Sequence, residues 1–220
     1  MTKLFIATPA FSGQVHASYA ISLAEMASIL VMHNISSMYR IHSSGSLLSA
    51  ERNMLNKFFL ESDCTHMLCI DADIAWKAND VIKMILYDEE FIAGAYPARS
   101  EDHFHFEACT NPDGTIIQKG NLLKMNLMPA GFMLLKRSAL EKMIAFYPEL
   151  AYKPKSVRRD NFQGTMLYNT ELIDGEFWGE DYVFCKRAIN AGIDIWCDPT
   201  FEFNHAGRKG RLIDTLKIER

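Results

Sequence analysis

Two aspartates, Asp71 and Asp73, stand one residue apart at the end of the apolar run Met67-Leu68-Cys69-Ile70. In an extended chain, side chains two residues apart point the same way, so both carboxylates can converge on one hard cation. A divalent cation with few protein ligands keeps open positions, which commonly hold a diphosphate. The alternative for so short a pattern is a solvated loop with a helix cap. Upstream, Arg52 falls on the apolar stripe formed by Leu48, Leu55 and Phe59. A buried guanidinium needs a partner, and carboxylates at the ends of neighbouring strands would supply one; otherwise the side chain must snorkel to solvent at the helix edge. Further along, Gly179-Glu180-Asp181 opens a helical pattern. An acidic first turn either complements the helix dipole or takes part in chemistry.

These residues need elements to position them. Leu4 to Thr8 reads as a strand stopped by Pro9, and Tyr19, Leu23, Met26, Leu30 and His33 mark one face of a helix. A strand from Ile35 to Ile41, a loop at Ser43-Ser44-Gly45-Ser46 and a helix from Leu47 to Glu61 lead into the strand that ends in the aspartates. Strand and helix in alternation predict an α/β fold with a mostly parallel, doubly wound sheet. Ligands of such sheets bind beyond the carboxyl ends of the strands, where Thr8 and Asp71 fall. The second half differs. A helix over Asn79–Tyr87 and a strand over Phe91–Tyr96 precede a hairpin-like region from Phe104 to Leu135, with a strong turn at Asn111-Pro112-Asp113-Gly114. A helix from Ser138 to Phe146 is followed by a surface loop, Pro148 to Gly164, that carries Lys153, Lys155, Arg158 and Arg159 and could act as a lid. A last helix, Glu180 to Ala191, stops at Gly192.

Composition narrows the function classes. The 220 residues suffice for one substantial core, and a single domain is expected, residues 1–100 forming one half and 101–220 the other. A net charge of −4 argues against a general nucleic-acid surface. No apolar stretch reaches the roughly 18 residues of a transmembrane helix, and the N-terminus reads as a first strand rather than a signal peptide. Five scattered cysteines without paired spacing point to reduced thiols and a cytoplasmic location.

The stretch SAERNMLNKFFLESDCTHMLCIDADIAW resembles the nucleotide-sugar-binding half of GT-A-fold glycosyltransferases, many of which place an Ala-x-Arg-Asn-like helix before an apolar strand ending in Asp-x-Asp. The resemblance continues in order through FIAGAYPAR (91–99), MPAGFMLLKRSALEKM (128–143), GEDYVFCKRAINAGIDIWCDP (179–199) and HAG (205–207). Short single-domain versions of this kind occur in viral and bacteriophage genomes, which would place the protein in a host cytoplasm.

The resemblance implies a GT-A-like fold and roles position by position. Thr8, Pro9 and Ala10 follow the first strand, where the family seats base and ribose, although this chain has Pro9-Ala10-Phe11-Ser12 in place of the usual Pro-Thr-Tyr-Asn or Pro-Ala-Tyr-Asn. Arg52 matches the residue that approaches the nucleotide and the first aspartate. Asp71-Ala72-Asp73 matches the donor and metal motif, and His205 the C-terminal histidine that completes the metal site. Mixed carboxylate and imidazole ligation suits Mn²⁺ at least as well as Mg²⁺. Asp181, or else Glu180, is the candidate base that takes the proton of an acceptor hydroxyl. Gly131 lies in the segment under the acceptor site, where a glycine permits close backbone approach or marks a bulge. Trp178 is either a platform for a sugar ring or core packing.

The expected activity is metal-dependent transfer of a sugar from a UDP- or GDP-linked donor to a glycan or glycoprotein acceptor, with inversion of configuration favoured. The rival is a catalytically inactive nucleotide-sugar or glycan-binding domain. A phosphatase with an Asp-x-Asp nucleophile would carry that motif near its first strand, with Thr or Val where this chain has Ala75. A sugar-nucleotide pyrophosphorylase would show a glycine-rich basic loop where Ala10-Phe11-Ser12-Gly13 stands.

Overall fold

Alternation along the first strand sorts the apolar residues into two layers. Leu4 and Ile6 join one buried cluster, Phe5 and Ala7 the other, as the two-residue period of a strand requires. The computed structural model describes residues 1–43, 47–99, 103–153, 155 and 163–216. Its first half contains β1 (Lys3–Pro9), α1 (Ala17–Met32), β2 (Ser36–His42), α2 (Leu48–Glu61), β3 (His66–Ile70), β4 (Ile74–Trp76), α3 (Ala78–Tyr87) and β5 (Phe91–Ala93). There follow β6 (Glu107–Ala108), β7 (Gln118–Lys119), β8 (Leu122–Leu127), β9 (Phe132–Lys136) and α4 (Arg137–Phe146). The remainder comprises β10 (Ala151–Tyr152), β11 (Gly164–Thr165), β12 (Glu171–Ile173), β13 (Glu176–Trp178), α5 (Glu180–Asn190), β14 (Ile195–Cys197), β15 (Glu202–His205) and β16 (Arg208–Arg211).

The main sheet runs β2-β1-β3-β9-β5-β14-β8-β6, with β7 on β8. β2, β1, β3, β5 and β14 share one direction, and β9 and β8 are reversed. One sheet therefore spans both halves of the chain. The α/β class and its mainly parallel sheet are as the sequence predicts, but β9 is a correction. Met133-Leu134-Leu135 does not belong to a peripheral hairpin; it lies antiparallel between β3 and β5, with Cys69 opposite Met133 and Ile92 opposite Leu134. Burial on both faces explains it, since every residue from Phe132 to Leu135 is enclosed. The expected hairpin character survives in β6, β7 and β8, where Thr110 bridges Ile116 around the 111–114 turn.

Helices cover both faces. Tyr19, Met26 and Leu30 of α1 and Val81 and Met84 of α3 join the Leu4 cluster, whereas Leu55 and Phe59 of α2, Leu140 and Met143 of α4 and Phe184 of α5 join the Phe5 cluster. His33, the last residue of the expected stripe, falls one residue beyond α1 as its C-cap. Gly192 follows α5 with φ +76°, the left-handed conformation that a glycine adopts without steric cost. Cys64, Cys69, Cys185 and Cys197 are buried free thiols, and burial pushes Cys69, Cys185 and Cys197 up to about 12, so they act as apolar filling. Of the expected surface loop, Arg158 and Arg159 lie outside the described residues, as do Ser44, Gly45 and Ser46. No helix among the described residues is long and apolar enough to cross a membrane.

The segment before β12 is held by two polar clamps. Asn53 of α2 donates from Nδ2 to the Tyr168 carbonyl at 2.7 Å and accepts from the Tyr168 amide at 2.9 Å. Arg187 of α5 donates to the carbonyls of Met166 and Leu167 at 2.7 and 2.8 Å. The Tyr168 ring then stacks on Phe184 with centroids 4.1 Å apart. Asn53→Ala removes one donor and one acceptor and leaves both buried backbone partners unpaired. It should lower stability by about 2–3 kcal/mol, read as a lower urea midpoint at unchanged slope. A loss below about 0.5 kcal/mol, the scale of an ordinary surface substitution, would show that the clamp is not needed.

Candidate active site

Arg52 is the first residue to place. It projects from α2 and is only 5% exposed. Its Nη2 donates to both oxygens of Asp71, at 2.9 and 3.2 Å, and its Nη1 to the carbonyl of Ala130 at 2.8 Å. The expectation of a buried, paired arginine therefore holds, and the snorkelling alternative does not. Burial works against the charge, but the Asp71 carboxylate more than offsets it and holds the guanidinium above its usual range. One N–H is left over: Nε is buried without a hydrogen-bond partner, and Glu180 Oε1 stands 4.0 Å away. The expected stripe fails at Leu48, which is 43% exposed at the first residue of α2 and lines the cavity in front of Asp71 instead.

Three backbone contacts fix the aspartate loop. The Asp71 amide donates to the Gly131 carbonyl at 2.8 Å, the Ala72 carbonyl accepts from the His16 amide at 2.7 Å, and the Asp73 carbonyl accepts from the Ala206 amide at 3.1 Å. Gly131 is in turn held by Tyr96, whose hydroxyl accepts the Gly131 N–H at 3.0 Å. Burial, then the negative charge of Asp71, raises the Tyr96 phenol well above its usual value, so it stays protonated.

Asp73 turns away from Arg52. β4 pairs antiparallel with β15 and sets His205 opposite Ile74, the residue after Asp73. His205 Nε2 consequently lies 3.2 Å from Asp73 Oδ2, and His205 Nδ1 meets the Pro97 carbonyl at 2.8 Å. Arg99 closes the group, with Nη2 on Asp73 Oδ2 and Nε 3.1 Å from His205 Nε2. Burial opposes the Asp73 charge, yet His205 and Arg99 outweigh it and hold the carboxyl below its usual range. Burial likewise pulls the His205 ring down, while Asp73 and the Pro97 carbonyl prevail and raise it.

A metal would find part of a ligand set here. With Nδ1–H given to Pro97, the neutral ring presents Nε2 as a lone pair, which is how a ligating histidine is oriented. Asp73 and His205 thus suit a divalent cation, and the Arg99 guanidinium stands beside them as a positive charge. The expected trio is not assembled, because Arg52 draws Asp71 to itself; among the described residues no three His, Cys, Asp or Glu side chains are grouped to hold a metal. His103 and His105 face one another with Nε2 atoms 3.0 Å apart.

Glu180 and Asp181 form the first turn of α5. Burial, then the adjacent Glu180 charge, raises the Asp181 carboxyl, while Arg52 opposes the rise; Asp181 Oδ1 accepts the Tyr182 amide at 2.9 Å. Arg52, Asp71, Tyr96, Gly131, Glu180 and Asp181 thus form one cluster. A cavity of about 390 Å³ opens beside it, walled by Pro9, Phe11, Ser12, Gln14, Val15, His16, Leu48, Asp71, Ala72, Asp73 and Arg99.

Of the expected residues, Pro9, Asp71, Ala72 and Asp73 line this cavity. The Thr8 hydroxyl is buried against Tyr19 at 2.6 Å, Ala10 is buried, and only Pro9 of the three reaches the wall. Trp178 lines a separate cavity of about 180 Å³ with Glu107 and Asn126, its ring under the Lys186 ammonium at 4.9 Å. Sequence reading assigned no role to Tyr96, Arg99, Gln14 or His16. The signal for the first two was their place in FIAGAYPAR, directly flanking the strand-ending Pro97 and Ala98.

The chain shares its fold with A197 from STIV, whose crystal structure matches with a TM-score of 0.54 at 18% identity, over 93% of this chain and 85% of that one. Lower-scoring likenesses include S. aureus TarS 1–349 in complex with UDP-GlcNAc, with a TM-score of 0.48 at 11% identity over 99% of this chain and 62% of that one. GalNAc-T7 with UDP, GalNAc and Mn²⁺ gives 0.44 at 10% identity, over 93% of this chain and 44% of that one. These likenesses concern the path of the chain and extend no further. The chain spans less than two thirds of either protein. No family model matches the sequence, and no match is found among curated proteins. The architecture is an α/β fold with a mainly parallel sheet, shared with A197 from STIV, and the aspartate loop stands at the carboxyl end of β3.

Gly131 is the tightest point of the site. A Cβ there would lie 2.3 Å from the Tyr96 hydroxyl and 2.6 Å from Asp71 Oδ2. Gly131→Ala must push one of them aside, and should cost about 1–3 kcal/mol of stability in chemical denaturation. Removing the hydroxyl in Gly131→Ala/Tyr96→Phe should return part of that loss. A single variant as stable as the parent would mean that the Asp71 side chain is not confined.

Proposed function

We propose that the protein is a glycosyltransferase that moves a sugar from a nucleoside-diphosphate sugar, UDP- or GDP-linked, to an acceptor hydroxyl. The observation that supports this reading best is the meeting of three groups around the aspartate loop: Arg52 on Asp71, His205 on Asp73, and the acidic first turn of α5, whose Glu180 stands 4.0 Å from Arg52, while Asp71 and Asp73 line the cavity. Each suits a different task.

Asp73 and His205, with Asp71 across the loop, are the residues that would hold a divalent cation, Mn²⁺ or Mg²⁺, which when bound offsets charge on the departing diphosphate. Arg52 holds the Asp71 carboxylate in place through its Nη2, and its buried Nε leaves one N–H for a ligand oxygen or a water. Pro9, with Phe11 and Leu48 around it, offers an apolar wall for a base and ribose. Asp181 is the base. Its raised carboxyl binds a proton more readily than an ordinary aspartate, which strengthens its capacity to take one from the acceptor hydroxyl as that oxygen attacks the anomeric carbon. A base of this kind favours direct displacement and inversion of configuration. The glycan or glycoprotein nature of the acceptor belongs to the same proposal.

Thermal shift against UDP- and GDP-sugars with and without Mn²⁺ tests the donor, since a ligand that binds only the folded state stabilises it. Slow release of sugar to water distinguishes an enzyme from an inactive binding domain. Asp73→Ala should abolish metal-dependent binding of UDP or GDP in calorimetry and leave the fold intact; unchanged affinity would sink the cation assignment.

Asp181→Asn should lower turnover by roughly 10²–10⁴ at nearly constant donor affinity, because a base acts in the transition state. The rate should fall as pH drops through the Asp181 titration, the base being lost to protonation. Glu180→Gln removes a negative charge that raises Asp181, so this acidic limb should move to lower pH. A limb that stays in place or moves upward would assign the base elsewhere, and a deader Glu180→Gln than Asp181→Asn would exchange their roles.

A further inference from the structure

We propose that Arg99 is a built-in counter-cation of the Asp73–His205 pair, which gives way to a divalent cation and is thereby freed to bind the donor's diphosphate. The inference rests on the proposed function and adds a residue and an order of events to it. Its basis is the double contact of one guanidinium: Nη2 meets Asp73 Oδ2, and Nε meets His205 Nε2 at 3.1 Å. An ordinary surface ion pair joins two charges and contributes little. Here the second partner is an imidazole nitrogen whose other face is fixed on the Pro97 carbonyl at 2.8 Å.

The neutral ring has one lone pair at Nε2. That lone pair accepts an Arg99 N–H or ligates a metal, and it cannot do both. The same holds for the Asp73 lone pair that Arg99 occupies, so guanidinium and cation exclude one another. Displacement is feasible because the Arg99 side chain is 64% exposed. It has a destination within reach, since Arg99 lines the same cavity as Asp71, Ala72 and Asp73. Free of its carboxylate, the planar fork of an arginine suits paired phosphate oxygens better than a lysine ammonium does. Conversely, with no cation bound, Arg99 neutralises Asp73 and keeps the histidine aimed.

A competitor that must leave lowers the apparent affinity of the incoming ligand by the fraction of sites it blocks. Mn²⁺ alone, titrated into the full chain by calorimetry and electron paramagnetic resonance, should therefore bind Arg99→Ala more tightly than the parent, by about fivefold or more. Arg99→Lys keeps a charge without the fork and should fall between them. UDP at saturating Mn²⁺ should show the opposite order, with Arg99→Ala weaker by about tenfold, the scale of one lost charge-assisted hydrogen bond. His205→Ala should lose Mn²⁺ in either background. Equal or weaker Mn²⁺ binding by Arg99→Ala overturns the inference while leaving the metal reading intact, as does unchanged UDP affinity at saturating Mn²⁺. No Mn²⁺ binding by parent or variant, with UDP present, overturns both.

Discussion

A guanidinium that is almost wholly removed from water must have its charge met, and the placement of Arg52 imposes that demand on four separate pieces of chain. Asp71 answers from the end of β3, the Ala130 carbonyl from the approach to β9, Glu180 from the first turn of α5, and the Tyr168 ring from the segment between α2 and α5. Losing any partner would leave a buried charge less than fully met, which costs far more than an exposed ion pair contributes. α2 extends the same role to its neighbours. Glu51 reaches His42 and Asn53 clamps Tyr168, so three consecutive polar residues of one helix tie it to β2, β3 and the segment leading to β12.

The reversed strand β9 makes this possible. Its antiparallel course brings Ala130 and Gly131 to the carboxyl end of β3, where a parallel strand would have placed its own carboxyl end instead. The Gly131 carbonyl can then accept from Asp71, and the Gly131 amide can donate to Tyr96. The second cluster has a different origin. Asp73 and His205 meet because β4 and β15 pair outside the main sheet, in a three-stranded sheet completed by β16. The two aspartates of one short motif are thus held by two different sheets and face two different cations, Arg52 and Arg99.

The residues say much of this in advance, and what they leave out has definite causes. Alternation of apolar strands and amphipathic helices is a local signal, and it specifies β1, α1, β2, α2 and β3 well. Arg52 is legible because an arginine on an apolar stripe creates a need that only a carboxylate can meet. The direction of β9 is not legible, since a strand buried on both faces has an unbroken apolar sequence whichever way it runs. β4 has three residues, too few for a period to register. Arg99 eluded a role because its partners lie 26 and 106 residues away, and charge complementarity over such distances leaves no trace in spacing. Leu48 was misplaced for a simpler reason: a stripe extrapolated to the first residue of a helix runs past the edge of the core. Thr8, within β1, and Ala10, just after it, are buried in the protein and do not face the cavity.

The long reach of these contacts governs when the site can come into being. Asp73 and Arg52 belong to the first third of the chain, whereas Gly131 arrives later and His205 close to the end. Contacts between residues far apart in sequence form only after the intervening loop has closed, and a chain leaving the ribosome presents its N-terminal part first. A nascent chain can pair Arg52 with Asp71 as soon as β3 has emerged, but it has no imidazole to offer Asp73 until β15 follows. Chain order alone therefore keeps an unfinished molecule from bringing His205 to Asp73 before β15 has been made.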